Sequence, residues 1–244
     1  MSRGQRDYGM YAATAVTAGV SDIGELAARM GSVVVFDRRG IVMHFDNFED
    51  PLLKWVGAPV ALTEYAKLDS TCARSGSQAV ILSNADPDTP TLLTRKVFPL
   101  ASLSIGAEIS LYFANDESNF RMDVIYFDGV NDHTAIVLIN PVTKKLLIYD
   151  DTLGANVEIA DTGELLTAGL YAFHTVKVVA DFATDKYKRI MFNANEYDIS
   201  AYSLDICVNP VAKGVITQIN NTTRTPAVQG IFHVDDWILT QDEP

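Results

Sequence analysis

The sequence predicts an all-β protein, a sandwich of two antiparallel sheets. Three observations predict it. From residue 31 onward, short segments alternate apolar and polar side chains with a period of two. They are separated by clusters of Asn, Asp, Gly and Pro, the residues of tight turns. Nowhere is there room for the 10-to-15-residue helices that a parallel α/β sheet requires. Strands of five to nine residues with irregular connections suit the return paths of a sandwich better than a barrel.

Residues 1–30 stand apart from this pattern. Arg3, Arg6 and Arg29 balance Asp7, Asp22 and Glu25, so this stretch carries no net charge. Residues 1–20 keep no steady period and predict an arm. Ser21 to Met30 predicts a short helix, with Ser21 as N-cap and Glu25 near its positive end. The expected division is therefore an arm over 1–30 and one sandwich domain over 31–244.

The strands follow in order. Val33 to Phe36 and Ile41 to Phe45 flank Asp37-Arg38-Arg39-Gly40, a hairpin signal. Asn47 to Leu68 is less regular and predicts loops across one end. Ser77–Ser83 and Thr91–Phe98 are strands on either side of the turn Asn84 to Pro90. Ile105 to Phe113 alternates cleanly, placing Ile105, Ala107, Ile109, Leu111 and Phe113 on one face. Arg121–Phe127, His133–Ile139 and Lys145–Tyr149, joined by short turns, predict an antiparallel meander. Asp161 to Gly169 is a helical turn or loop. Between Tyr171 and Phe182, the set Ala172, His174, Val176, Val178, Ala180 and Phe182 is the inward one. Tyr187–Asn193, Ile206–Val208, Val215–Ile219 and Gln229–Thr240 complete twelve to fourteen strands.

Composition bounds the function. The chain has 244 residues, 48% apolar and 20% charged, enough for a full core without disulfide staples. Its net charge of −12 lacks the clustered Lys and Arg that nucleic acid or an anionic membrane surface needs. No window approaches 18 apolar residues, and the N-terminus has no dense apolar signal region, so the expected location is the cytoplasm or an assembled particle. Cys72 and Cys207 have no metal-ligand spacing; two buried thiols are favoured over a pair. Asn220-Asn221-Thr222-Thr223 contains glycosylation sequons, which carry meaning only on a secretory route.

The order Phe45-Asp46-Asn47-Phe48-Glu49-Asp50, Trp55, Ala73-Arg74-Ser75-Gly76-Ser77-Gln78-Ala79-Val80 and the Arg95–Phe98 strand resembles the opening of concanavalin A-like (lectin/glucanase, laminin-G-like) jelly rolls. His174 to Phe182, Tyr187 to Asn193 and Tyr197-Asp198-Ile199 are similar to neighbouring strands of such domains. Phe232 to Leu239 resembles their last strand, which returns beside the first. The resemblance covers about residues 41–242 and implies a jelly-roll sandwich. It also implies a structural Ca2+ at the seam where Asp46 and Glu49 approach Asp235 and Asp236, since Ca2+ takes several hard oxygens at once. The alternative is that these carboxylates are solvated turn and edge residues.

Catalytic signatures are thin. The Glu-x-Asp-x-x-Glu run of retaining glucanases of this fold is absent; Glu108 and Asp123, on successive strands, are the nearest acid pair for glycoside hydrolysis. His44, His133, His174 and His233 lie on different strands without metal spacing, and His174 reads as a hydrogen-bonded core or cleft histidine rather than a ligand. No nucleophile elbow or phosphate-binding Gly loop is present. A glycan or other small polar ligand needs an aromatic platform with amides and carboxylates; Tyr112, Asp123, Tyr126, Tyr149 and Asn193 are the candidates on strands, on the concave sheet of a jelly roll. Trp55 and Trp237 read equally as plugs for the ends of the core. The sequence thus supports a non-catalytic ligand-binding sandwich first. An assembly protein that oligomerises through its N-terminal arm comes second, and a glycoside hydrolase third.

Overall fold

A computed structural model describes residues 39–58, 64–97, 101–163, 169 and 172–244. The predicted arm, its helix and the Val33–Phe36 strand lie outside the described residues. Sixteen strands form among those described. They are β1 (Ile41–Asp46), β2 (Val56–Ala58), β3 (Tyr65–Asp69), β4 (Ala79–Asn84), β5 (Thr91–Val97), β6 (Ser104–Phe113), β7 (Ser118–Phe127) and β8 (Asn131–Asn140). After these come β9 (Lys145–Asp150), β10 (Ala155–Asp161), β11 (His174–Asp181), β12 (Lys186–Phe192), β13 (Asn195–Asp198), β14 (Asp205–Val208), β15 (Gly214–Thr223) and β16 (Gly230–Gln241).

Every pairing is antiparallel, and the strands divide into two sheets that make a jelly-roll sandwich. The first runs β13-β12-β11-β6-β16-β4-β3, with β1 also on β16. The second runs β10-β9-β8-β7-β15-β5-β2, with β14 also on β8. The expected meander is present as β7-β8-β9, and β16 returns beside β1 as the family resemblance implied. The irregular Asn47–Leu68 stretch holds two short strands, β2 and β3. Cross-sheet turns mislead the eye: β6 and β7 are joined by only four residues yet belong to different sheets.

The inward faces follow the alternation. Ile105, Ala107, Ile109, Leu111 and Phe113 of β6 and Val176, Val178 and Ala180 of β11 pack against Phe120, Met122 and Val124 of β7 and Ala135, Val137 and Ile139 of β8. Phe232 of the first sheet stands edge-on to Phe120 of the second, ring centroids 5.5 Å apart, so one aromatic contact spans the layers. Trp55 and Trp237 meet edge-on at 4.9 Å, both buried. Both therefore serve as core plugs, and Trp55 Nε1 donates to Asp46.

Polar side chains also tie the strands together. The Asn84 amide donates to the Asn221 carbonyl at 2.7 Å, while the Asn221 amide donates to the carbonyls of Leu82 and Gly230, both 2.9 Å. Both sequon asparagines, Asn220 and Asn221, are buried in β15 and engaged in the fold. Midway along the second sheet, β8 shares one edge between two partners, β14 over Asn131–Thr134 and β9 over Val137–Asn140. Tyr187 reaches across from β12 into this gap: its hydroxyl accepts the Ile136 N–H and donates to the Tyr149 carbonyl, both 2.9 Å. Both cysteines are free thiols; Cys207 is exposed and Cys72 half-buried, so neither is the buried thiol the sequence suggested.

Candidate functional site

Because Ile105 to Phe113 send alternate side chains into the core, Glu108, Ser110 and Tyr112 point to the outer face of the first sheet. Strand register places Lys177 and Ile238 opposite Glu108, Thr175 and Asp235 opposite Ser110, and His233 opposite Tyr112. This outer face carries buried carboxylates, cations, hydroxyls and an aromatic pair. The Tyr112 and His233 rings stack at 5.7 Å with planes 25° apart, and the Phe173 ring lies 5.7 Å from Tyr112, tilted by 43°.

His233 Nε2 lies 3.1 Å from Asp69 Oδ2 on β3. Burial raises the Asp69 carboxyl, but bonds from Thr71 and His233 outweigh it and hold the group below its ordinary value. Burial lowers His233, against the pull of the Asp69 hydrogen bond and charge.

The segment after β3 folds over this face. The amides of Arg74 and Ser75 donate to Asp235 at 2.8 and 3.1 Å, Ser75 Oγ donates to Asp236 at 2.7 Å, and the Arg74 guanidinium bonds Ser110 Oγ. Burial, then the neighbouring Asp236 charge, push the Asp235 carboxyl up to about 7. Asp236 takes a left-handed φ of 48°, where β16 carries a register shift between Asp235 and Ile238. One edge of β16 changes partner here, from β4 to β1.

On the other side, Glu243 folds back over β6 and β11. Its carboxylate lies 2.6 Å from Lys177 Nζ and bonds the Arg189 guanidinium and Thr240 Oγ1. Beyond it, at the β12–β13 edge, opens a hollow of about 510 Å3 lined by Arg39, Lys188, Arg189, Glu196, Asp198, Ser200 and Pro244. Arg39 and Glu196 are paired across it.

The sequence-derived candidates are dispersed. Tyr112 is on the face just described. Asn193 caps the end of the β11–β12 hairpin, its Oδ1 accepting the Thr175 N–H and its amide meeting His174 Nδ1 at 3.2 Å. His174 is the buried, stacked histidine expected. Tyr126 faces inward, packed on the core beside Phe182. Asp123 and Tyr149 belong to the second sheet. Asp123 points out of that sheet, bonded to Arg121 at 2.7 Å and Asn220 at 3.0 Å, its carboxyl raised by burial. Glu108 and Asp123 therefore look away from each other on opposite outer faces of the sandwich and do not form an acid pair.

The four proposed Ca2+ ligands accept N–H and O–H donors instead. Asp46 accepts Phe48 N and Trp55 Nε1; Glu49 accepts the amides of Ser77 and Gln78 and the Ser77 hydroxyl; Asp235 and Asp236 hold the Arg74–Ser75 turn. Among the described residues no group of three or more His, Cys, Asp or Glu side chains could hold a metal ion. The donor set does not fit the cation. Sequence reasoning missed Asp69 and Glu243 altogether and gave His233 and Arg74 no partner, because the partners of all four lie far away along the chain.

No protein-family profile matches the sequence, and no curated protein does. Solved structures do. The chain resembles the cellulose-induced protein Cip1, with a TM-score of 0.53, 15% identity, and 81% of this chain and 97% of that one covered. It also resembles a Bacteroides ovatus mixed-linkage-glucan GH16 protein solved with a G4G4G3G product, with a TM-score of 0.50, 12% identity and coverages of 80% and 99%. A sialidase matches with a TM-score of 0.51 and 12% identity over 78% of this chain, which spans only 17% of the sialidase. At these identities the likeness is one of fold, a jelly-roll β-sandwich.

Proposed function

We propose that the chain is a non-catalytic carbohydrate-binding sandwich that takes its ligand on the outer face of the first sheet, entering at the β12–β13 hollow. The observation that carries this is the character of that face. Sugar hydroxyls need both donors and acceptors at fixed positions, and Glu196, Asp198, Ser200, Lys188 and Arg39 supply them around a hollow of saccharide size. Two of the structures it resembles are, by name, a cellulose-induced protein and a glucan-bound GH16 protein, which supports saccharide as the ligand class. The hydrolase reading loses its acid pair with Glu108 and Asp123 on opposite faces.

A glycan array probed with the full chain, with and without EDTA, tests the proposal. Binding to at least one glycan class is expected, unchanged by EDTA, and weakened at least tenfold in the double variant Glu196→Ala/Asp198→Ala. A flat array, or binding that the double variant leaves intact, overturns it.

A further inference from the structure

The Glu243 pocket is built unlike an ordinary surface ion pair. Lys177 and Arg189 come from interior strands β11 and β12, their side chains 2% and 7% exposed, and the carboxylate between them is fully buried. Thr240 Oγ1 adds a third donor. Two glycines make the space. A Cβ on Gly106 would stand 2.7 Å from Glu243 Oε1, and a Cβ on Gly40 would stand 2.5 Å from it. Burying three charges carries a desolvation cost that their mutual attraction must offset, and apolar residues would fasten a chain segment as well. What Lys177, Arg189 and Thr240 add over apolar packing is a set of donors converging on one carboxylate.

The rest of the 242–244 segment is held without regard to side chain. Lys188 Nζ and Ser104 Oγ donate to the Glu243 carbonyl at 2.9 and 2.6 Å, and Arg189 Nη1 donates to the Pro244 carbonyl at 2.7 Å. Lys188, Arg189 and Pro244 also line the 510 Å3 hollow, so the clamp and the hollow share walls.

We infer that Lys177, Arg189 and Thr240 form a subsite for the carboxylate of an acidic saccharide, a uronate, and that Glu243 occupies it as a tethered substitute. The inference rests on the saccharide-binding reading above and names the sugar class for the same site. A tethered competitor acts at an effective concentration in the millimolar range, so the intact chain binds free uronate weakly. Removing the competing carboxylate strengthens binding.

The test is a thermal-shift and calorimetric titration of the full chain and of Glu243→Ala and Glu243→Gln, with D-glucuronate, acetate and D-glucose. Glu243→Gln keeps the volume and guards against the Ala variant failing to fold. At least a tenfold gain in glucuronate affinity over the parent chain is expected in a folded variant. Acetate should bind more weakly, glucose should give no gain, and adding Lys177→Met should abolish the effect. No gain for glucuronate, or equal responses to glucuronate and acetate, overturns the inference. If the unmodified chain still binds neutral glycans on the array, only the uronate subsite falls; a flat array removes the binding function itself.

Discussion

The Tyr187 hydroxyl accepts the Ile136 amide proton at 2.9 Å, and this one side chain of the first sheet repairs a gap in the second. Ile136 sits where β8 passes from β14 to β9, between the two stretches of paired edge. The phenol is buried, which raises its pKa well above the ordinary value and keeps it a donor to the Tyr149 carbonyl.

Tyr187→Phe leaves that amide and that carbonyl without their partner. Stranding buried polar groups costs about 1–3 kcal/mol, which for a chain of this size lowers Tm by about 2–4 °C per kcal/mol. Denaturant and thermal unfolding measure it; an unchanged midpoint would show that water or backbone relaxation satisfies both groups.

Gly106→Ala places a methyl 2.5 Å from Thr240 Oγ1 and 2.9 Å from Lys177 Cε, as well as against Glu243. Overpacking a buried polar cluster of this kind costs about 1–3 kcal/mol. The substitution should destabilise the fold and expose the 242–244 segment to limited proteolysis. Parent-like stability and resistance would contradict the tight seating of Glu243.

Asp235 gives stability a pH dependence of definite sign. Its folded value of about 7 lies above the ordinary carboxyl value of 3.8. Between those values the unfolded chain has released a proton that the folded chain keeps, so this contribution is full below about pH 4 and is lost as pH rises to about 7. Asp235→Asn should flatten the slope of unfolding free energy between about pH 4 and 7, at most ~1.4 kcal/mol per pH unit for one group. Urea denaturation across that interval decides it: a slope identical in both proteins would exclude Asp235 as the source.

Calcium should leave the protein indifferent. The carboxylates of Asp46, Glu49, Asp235 and Asp236 already accept backbone and side-chain donors, and a cation would have to displace those protons. Calorimetric scans in Ca2+ and in EDTA should give the same Tm. A calcium-dependent rise would mean that the Arg74–Gln78 segment rearranges around the ion.

The strands themselves were legible, because period-two alternation is local and the inward sets of β6 and β11 follow directly from it. Sheet membership was not. Glu108 and Asp123 look like neighbours on a hairpin, yet the turn between their strands crosses from one sheet to the other, a choice fixed by pairing with β16 and β15 more than ninety residues away. The site was legible only in Tyr112. Its partner His233, and the Glu243 clamp on Lys177 and Arg189, depend on contacts that no local spacing encodes.

The place of β16 in the first sheet has a consequence for how the chain is made. β1, β4 and β6 all pair with it, and Ile41 waits for Gln241, 200 residues further along. On the ribosome the second sheet's β7-β8-β9 meander can assemble as it emerges, while the first sheet stays divided, its inner apolar side uncovered, until β16 is released. Nascent chains of this protein should therefore hold chaperones from the emergence of β4 and β6 until β16 pairs with them.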